Sequence, residues 1–205
     1  MTVPALSNLE RQDRLPEILS QADEILQFYD AVTGLDRAGA PRLSELLETV
    51  WEVGTLVVMA LKNEIAELRP FQRNDAVQPL ILTPGHGSLP SGHATMSAMA
   101  SELLCALRFR NDPERCDQLD QLARRIAFNR VVAGVHFQMD SFAGYELGRR
   151  LAATLVAAAE GGNLPAAGPD FVIPQKATLA ETDPRPAAVE TDPNRPIEAL
   201  ANWKL

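Results

Sequence analysis

No apolar run in this 205-residue chain approaches the ~20 residues that a membrane-spanning helix requires. The best candidates, residues 55–61 and 151–159, fall far short. Basic charge is also scarce. Nineteen Lys and Arg face 27 Asp and Glu, a net charge of −8, so the surface repels phosphate backbones and anionic membranes alike. An anion could bind only in a local basic pocket set into an acidic body. There are only two cysteines, Cys105 and Cys116, and they form no metal-ligand pattern. Cys105 lies in an apolar run, which leads us to expect a buried thiol rather than a disulfide partner. The first residues lack the basic-then-apolar order of an export signal, so a cytoplasmic location is the expectation. Convincing period-2 alternation is missing throughout, which excludes a sheet-based fold.

What is present is helical. Residues 10–32 repeat apolar side chains at Leu15, Ile18, Leu19, Ile25, Leu26 and Tyr29, a helical period with a polar opposite face. The pattern resumes at Arg42 and runs through Ile65 and Leu68 until Pro70 stops it. Residues 71–91 read as loop. Further helices are expected up to about Asn111, over 113–133 and over 139–160, where Gly161-Gly162 ends the last. The expected class is all-α, a single-domain bundle of five or six helices over residues 1–162. Residues 163–205 differ: seven of the fifteen prolines lie there, and Glu181-Thr-Asp-Pro recurs as Glu190-Thr-Asp-Pro. This segment reads as an extended Pro-rich tail. Ile197, Leu200 and Trp203 are its candidate anchors if it joins subunits into a homo-oligomer.

The chemistry gathers around residues 84–107. Pro and Gly break regular structure up to Gly92, and an unbroken small-and-apolar run follows. Ser91, Gly92 and His93 therefore sit at a helix N-terminus, where free N–H groups and the positive dipole end favour an anion. Upstream, Lys62 and Arg69 lie seven residues apart, two turns along one helical face. Downstream, His136 and Asp140 are four apart, so the carboxylate can hold one imidazole nitrogen and leave the other free. Arg130 and His136 would point roughly 120° apart on one continuous helix. A shared site requires a break between them, and Gly134 is the place.

Taken together, Lys62-x6-Arg69-Pro70, Pro90-Ser91-Gly92-His93 and Arg130-x5-His136-x3-Asp140 resemble, in order and spacing, a tripartite signature. It is that of the type 2 phosphatidic acid phosphatase and vanadium-dependent haloperoxidase superfamily, and the likeness spans about residues 43–160. The resemblance implies that Lys62, Arg69 and Arg130 hold the equatorial oxygens of phosphate or vanadate, with the Ser91 hydroxyl and the Gly92 N–H assisting. It makes His136 the nucleophile on phosphorus or the apical ligand of vanadium, Asp140 its orienting partner and His93 the general acid. One position departs from the pattern: the family often has Ser before its third-block Arg, and here it is Asn129.

Two reaction classes share such a pocket. The small size and the Arg69-Pro70-Phe71 and Gly87-Ser88-x-Pro90-Ser91-Gly92-His93 stretches resemble soluble acid phosphatases, which need no cofactor. Hydrolysis of a small phosphorylated substrate through a phosphohistidine is thus the preferred expectation. The alternative is a haloperoxidase with vanadate bound at His136, oxidising halide with hydrogen peroxide. It draws on His86, seven residues before His93, where haloperoxidases place a residue lining the halide side. A non-catalytic phosphate-binding relative is the third reading.

Overall fold

A computed structural model describes residues 8–36 and 38–159. Among these the chain forms six helices of eight residues or more and one short helical turn, with no strand. They are α1 (Asn8–Ser20), α2 (Leu26–Thr33), α3 (Pro41–Ile65), α4 (Pro70–Arg73), α5 (Gly92–Arg108), α6 (Pro113–Val132) and α7 (Gln138–Ala159). The all-α expectation holds. The expected Pro-rich tail lies outside the described residues. Among the described residues, no helix is long and apolar enough to cross a membrane.

Helix α5 is the central element and packs on α7, α6 and α3. Its residues Ala94–Ser101 are all buried, as its small-and-apolar sequence requires. Small side chains let α7 come very close. A Cβ at Gly144 would lie 2.4 Å from the Ser91 carbonyl oxygen, and one at Gly148 would lie 2.2 Å from that of Thr95. Only glycine fits at either position, and this contact sets the height of α7 against the start of α5. A second apolar cluster joins α1 to the far side of the site, with Ile18 packed among Val132, Ala133 and Val135.

Four features differ from the sequence expectations. The period over residues 10–32 is split: α1 stops at Ser20 and α2 begins at Leu26. A continuous helix would spend the Gln21 and Ala22 carbonyls on its own later amides. Here the His93 imidazole takes both, at 2.9 and 3.1 Å. The second long helix stops early as well. It ends at Ile65, capped by Ala66 at φ 51°, so Arg69 stands in extended backbone and not one helical face along from Lys62. Within the expected loop, Pro70 starts the turn α4, where its fixed φ and missing N–H suit the first helical position.

The cysteine expectation is overturned. Cys105 in the last turn of α5 and Cys116 in the first turn of α6 form a disulfide, their Cα atoms 5.2 Å apart. The apolar surroundings of Cys105 spoke only for its own helix. The tight reversal at residues 109–112 brings the second cysteine back beside it.

Candidate active site

A cavity of about 210 Å³ opens between α3, α5 and the α6–α7 connection. Lys62, Arg69, His86, Gly92, His93, Arg130 and His136 all line it, so seven of the nine candidate site residues meet there. The other two stand immediately behind the wall. Asp140 contacts His136, and Ser91 caps α5, its side-chain oxygen 3.5 Å from the Ala94 amide.

Gly134 makes this convergence possible. Helix α6 ends at Val132, and Gly134 adopts φ 75°, a left-handed conformation that costs glycine little. The chain turns there and presents His136 before α7 begins at Gln138. The His136–Asp140 pair is therefore made across a helix entry, not along a helix face. Asp140 Oδ2 accepts from the Phe137 amide at 2.8 Å, satisfying a free donor at the start of α7, and lies 3.2 Å from His136 Nδ1. The Ser91 amide donates to the Asp140 carbonyl at 2.9 Å, tying the second sequence block to the third.

Ser88 completes this group, and the sequence reading gave it no role. Buried completely, its hydroxyl donates to Asp140 Oδ2 and lies 3.3 Å from His136 Nδ1. The one hint was its place in the Gly87-Ser88 approach to the second block. Burial would otherwise raise the Asp140 carboxyl, but His136, Ser88 and the Phe137 amide hold it below its ordinary value. With Nδ1 engaged on this carboxylate, His136 keeps Nε2 as its available nitrogen. Burial pushes its imidazole down to about 4 despite Asp140, so it is neutral near pH 7 and carries the lone pair a nucleophile needs.

The cations are held by backbone carbonyls. Lys62 Nζ donates to Gly87 O at 2.8 Å and Ser88 O at 2.9 Å. Arg69 donates from Nε to His86 O at 3.1 Å and from Nη1 to Val135 O at 2.9 Å. No carboxylate pairs with either in these contacts, and burial followed by the Arg69 charge pushes the Lys62 ammonium down to about 7. Arg130 is the most exceptional. It is 1% exposed, donates from Nη2 to Ile18 O at 3.2 Å, and leaves Nε and Nη1 without a partner among the described residues. Burial lowers it to about 10, so it stays charged near neutrality. A buried guanidinium with orphaned N–H groups on a cavity wall is costly unless an acceptor arrives.

The other two histidines differ in their surroundings. His93 has Nε2 between the carbonyls of Gln21 and Ala22, which fixes its proton there and leaves Nδ1. Burial, then Arg130 and His136, push it down to about 3. His86 lines the cavity, with Nδ1 3.2 Å from Gly87 O and 3.3 Å from Arg69 Nη2. Burial first, with Lys62 and Arg69 adding to it, lowers its pKa as well. The rest of the wall is mostly apolar, with Val58, Met59, Ile81, Leu82, Pro84 and Met96, and Thr55 as a neutral polar residue. None of these was named as a site residue from the sequence, because they lie outside the motif blocks.

No curated protein is significantly similar to the chain. Among solved structures it is similar to a transmembrane PAP2-type phosphatidylglycerolphosphate phosphatase from Bacillus subtilis. The likeness has 20% identity and a TM-score of 0.49, covering 76% of this chain and 88% of the other. The PAP2 superfamily profile matches residues 49–161, over half of the chain and all of the candidate site except the turn after α1. On that match, the chain belongs to the PAP2 superfamily.

Proposed function

We propose that this protein is a phosphoric monoester hydrolase that works through a phosphohistidine at His136. Family membership supports a hydrolase of phosphatase type in broad terms. One observation carries the finer reading: the unpartnered Nε and Nη1 of buried Arg130 share a cavity wall with His136, whose Nδ1 is already held by Asp140. An anion with several oxygens satisfies the first, and an electrophilic phosphorus suits the second.

In this mechanism Lys62, Arg69 and Arg130 take the phosphoryl oxygens. Nε2 of His136 forms a bond to phosphorus as the ester P–O bond breaks, and Asp140 stabilises the charge that develops on the imidazole. His93, protonated at Nδ1 once the dianion is bound, gives that proton to the departing alkoxide. It then takes a proton from the water that attacks phosphohistidine, releasing inorganic phosphate and restoring His136. The apolar walls offer the leaving group no charged partner.

A second reading rests on His86, which does line the cavity. The same three cations and His136 Nε2 match vanadate, an oxyanion of phosphate shape. Bound there, vanadate supplies activation of hydrogen peroxide toward halide oxidation. The resting His86 imidazole, with its lowered pKa, offers a halide no charge, and so hydrolysis is preferred.

A paired assay decides. One half of a metal-free preparation receives p-nitrophenyl phosphate; the other receives orthovanadate, then bromide, peroxide and a bromination dye. Phosphate release that vanadate inhibits, without bromination, is the expected result. Vanadate-dependent bromination would favour the haloperoxidase, and silence in both a binding protein.

A further inference from the structure

The end of α1 and the turn that follows lie outside the residues matched to the superfamily, yet their carbonyls accept from two residues of the site. Carbonyls at and just beyond a helix C-terminus have no intrahelical donor and carry the negative end of the dipole. Those of Gln21 and Ala22 accept from His93 Nε2 at 2.9 and 3.1 Å, and that of Ile18 accepts from Arg130 Nη2 at 3.2 Å. Ala22 itself reaches the cavity wall.

Asn129 holds this turn in place. Its Nδ2 donates to Glu17 Oε1 at 2.9 Å and Gln21 Oε1 at 2.8 Å, while its Oδ1 accepts from Arg14 Nη1 at 3.0 Å. Each acceptor or donor is on α1 or directly after it. Gln21 closes the group by donating to Glu17 Oε1 at 3.0 Å, and Glu17 also pairs with Arg125 of α6. Asn129 is completely buried, and its side chain is turned away from the cavity, so it acts on the site only through what it holds.

We infer that Asn129 is a positioning residue that clamps the end of α1 against the site, and that the clamped carbonyls set the His93 tautomer that catalysis uses. A proton fixed on Nε2 leaves Nδ1 as the nitrogen that carries the transferred proton, and the carbonyl pair stabilises the imidazolium that must form. Serine in place of Asn129 is too short to bridge Glu17, Gln21 and Arg14 at once.

The inference rests on the proposed general-acid role of His93, and its test separates the two. Asn129→Asp keeps the shape but sets a carboxylate against Glu17; Glu17→Ala removes the acceptor at a part-exposed position. Nitrogen-15 histidine spectra of the free protein should show His93 as the single Nε2–H tautomer in wild type and as a mixture in both variants. Turnover should fall at least roughly tenfold more with phenyl phosphate than with p-nitrophenyl phosphate, whose leaving group needs no acid, while KM changes little. If the variants keep the wild-type tautomer, or lose rate equally on both esters, the clamp has no positioning role. If wild type hydrolyses neither ester, the proposed function fails, and the spectra alone still decide the clamp.

Discussion

The hydroxyl of Ser88 donates to Asp140 Oδ2, the carboxylate oxygen that also faces His136 Nδ1. Ser88 thus limits how far the carboxylate can rotate from the imidazole it orients. Removing it leaves Asp140 Oδ2 with the Phe137 amide and His136 alone. Ser88→Ala is expected to lower kcat about tenfold, the equivalent of about 1.4 kcal/mol, as for one lost hydrogen bond to a charged group. KM for p-nitrophenyl phosphate should hardly move, because Ser88 is not on the cavity wall. Steady-state kinetics check both values.

Loss of the proposed nucleophile and of the proposed acid should look different. His136→Ala is expected to abolish turnover and the acid-labile phosphoenzyme trapped by rapid quench. His93→Ala should leave a phosphoenzyme that still forms from p-nitrophenyl phosphate but hydrolyses slowly. Wild-type turnover in both variants would remove these residues from the mechanism.

With p-nitrophenyl phosphate, whose leaving group needs no acid from His93, the pH profile of kcat/KM follows from two buried groups. His136, pushed down to about 4, regains its lone pair as pH rises through that value, so kcat/KM climbs there. Lys62, pushed down to about 7, loses its charge as pH rises further, so kcat/KM falls above about 7. An acid-side optimum between these limbs is expected. Lys62→Arg keeps the charge at all working pH values and should move the alkaline limb upward. An unchanged limb would assign it to another group.

The same histidines affect folding. With folded values of about 3 and 4 against an ordinary 6.5, the unfolded chain binds more protons over that interval. Their stability contribution is complete above about 6.5 and is lost as pH falls toward 4 and below. Thermal melts across that range should show the decline, and a His93→Gln variant should show less of it.

The α5–α7 contact leaves no room for a methyl group. Gly148→Ala would place a Cβ 2.2 Å from a backbone oxygen, which no rotamer change relieves. A loss of about 3 kcal/mol is expected, at the upper end of the overpacking range, or a melting drop of roughly 6–12 °C. Opening the Cys105–Cys116 disulfide, which closes a short loop, should also cost about 3 kcal/mol. Thiol titration before and after reduction shows whether the bond is intact.

The sequence by itself determined the helical class and named most of the polar residues that meet in the cavity. Helical periods are local, and a buried α5 follows from its unbroken small-and-apolar run. The three blocks named Lys62, Arg69, His93, Arg130, His136 and Asp140, and the angular mismatch between Arg130 and His136 required a break at Gly134, which φ 75° provides. Contacts between distant segments were decided only by the tertiary structure. Ser88 meets Asp140 across 52 positions, and His93 takes carbonyls from residues more than 70 positions away, breaking a helix whose own pattern continues. Arg69 reaches the cavity from extended backbone, and Cys105 finds Cys116 only because the chain reverses. A periodic pattern reports which face of an element is apolar; it does not report which backbone carbonyls a side chain from elsewhere will claim. Those competing hydrogen bonds exist only once the helices have packed.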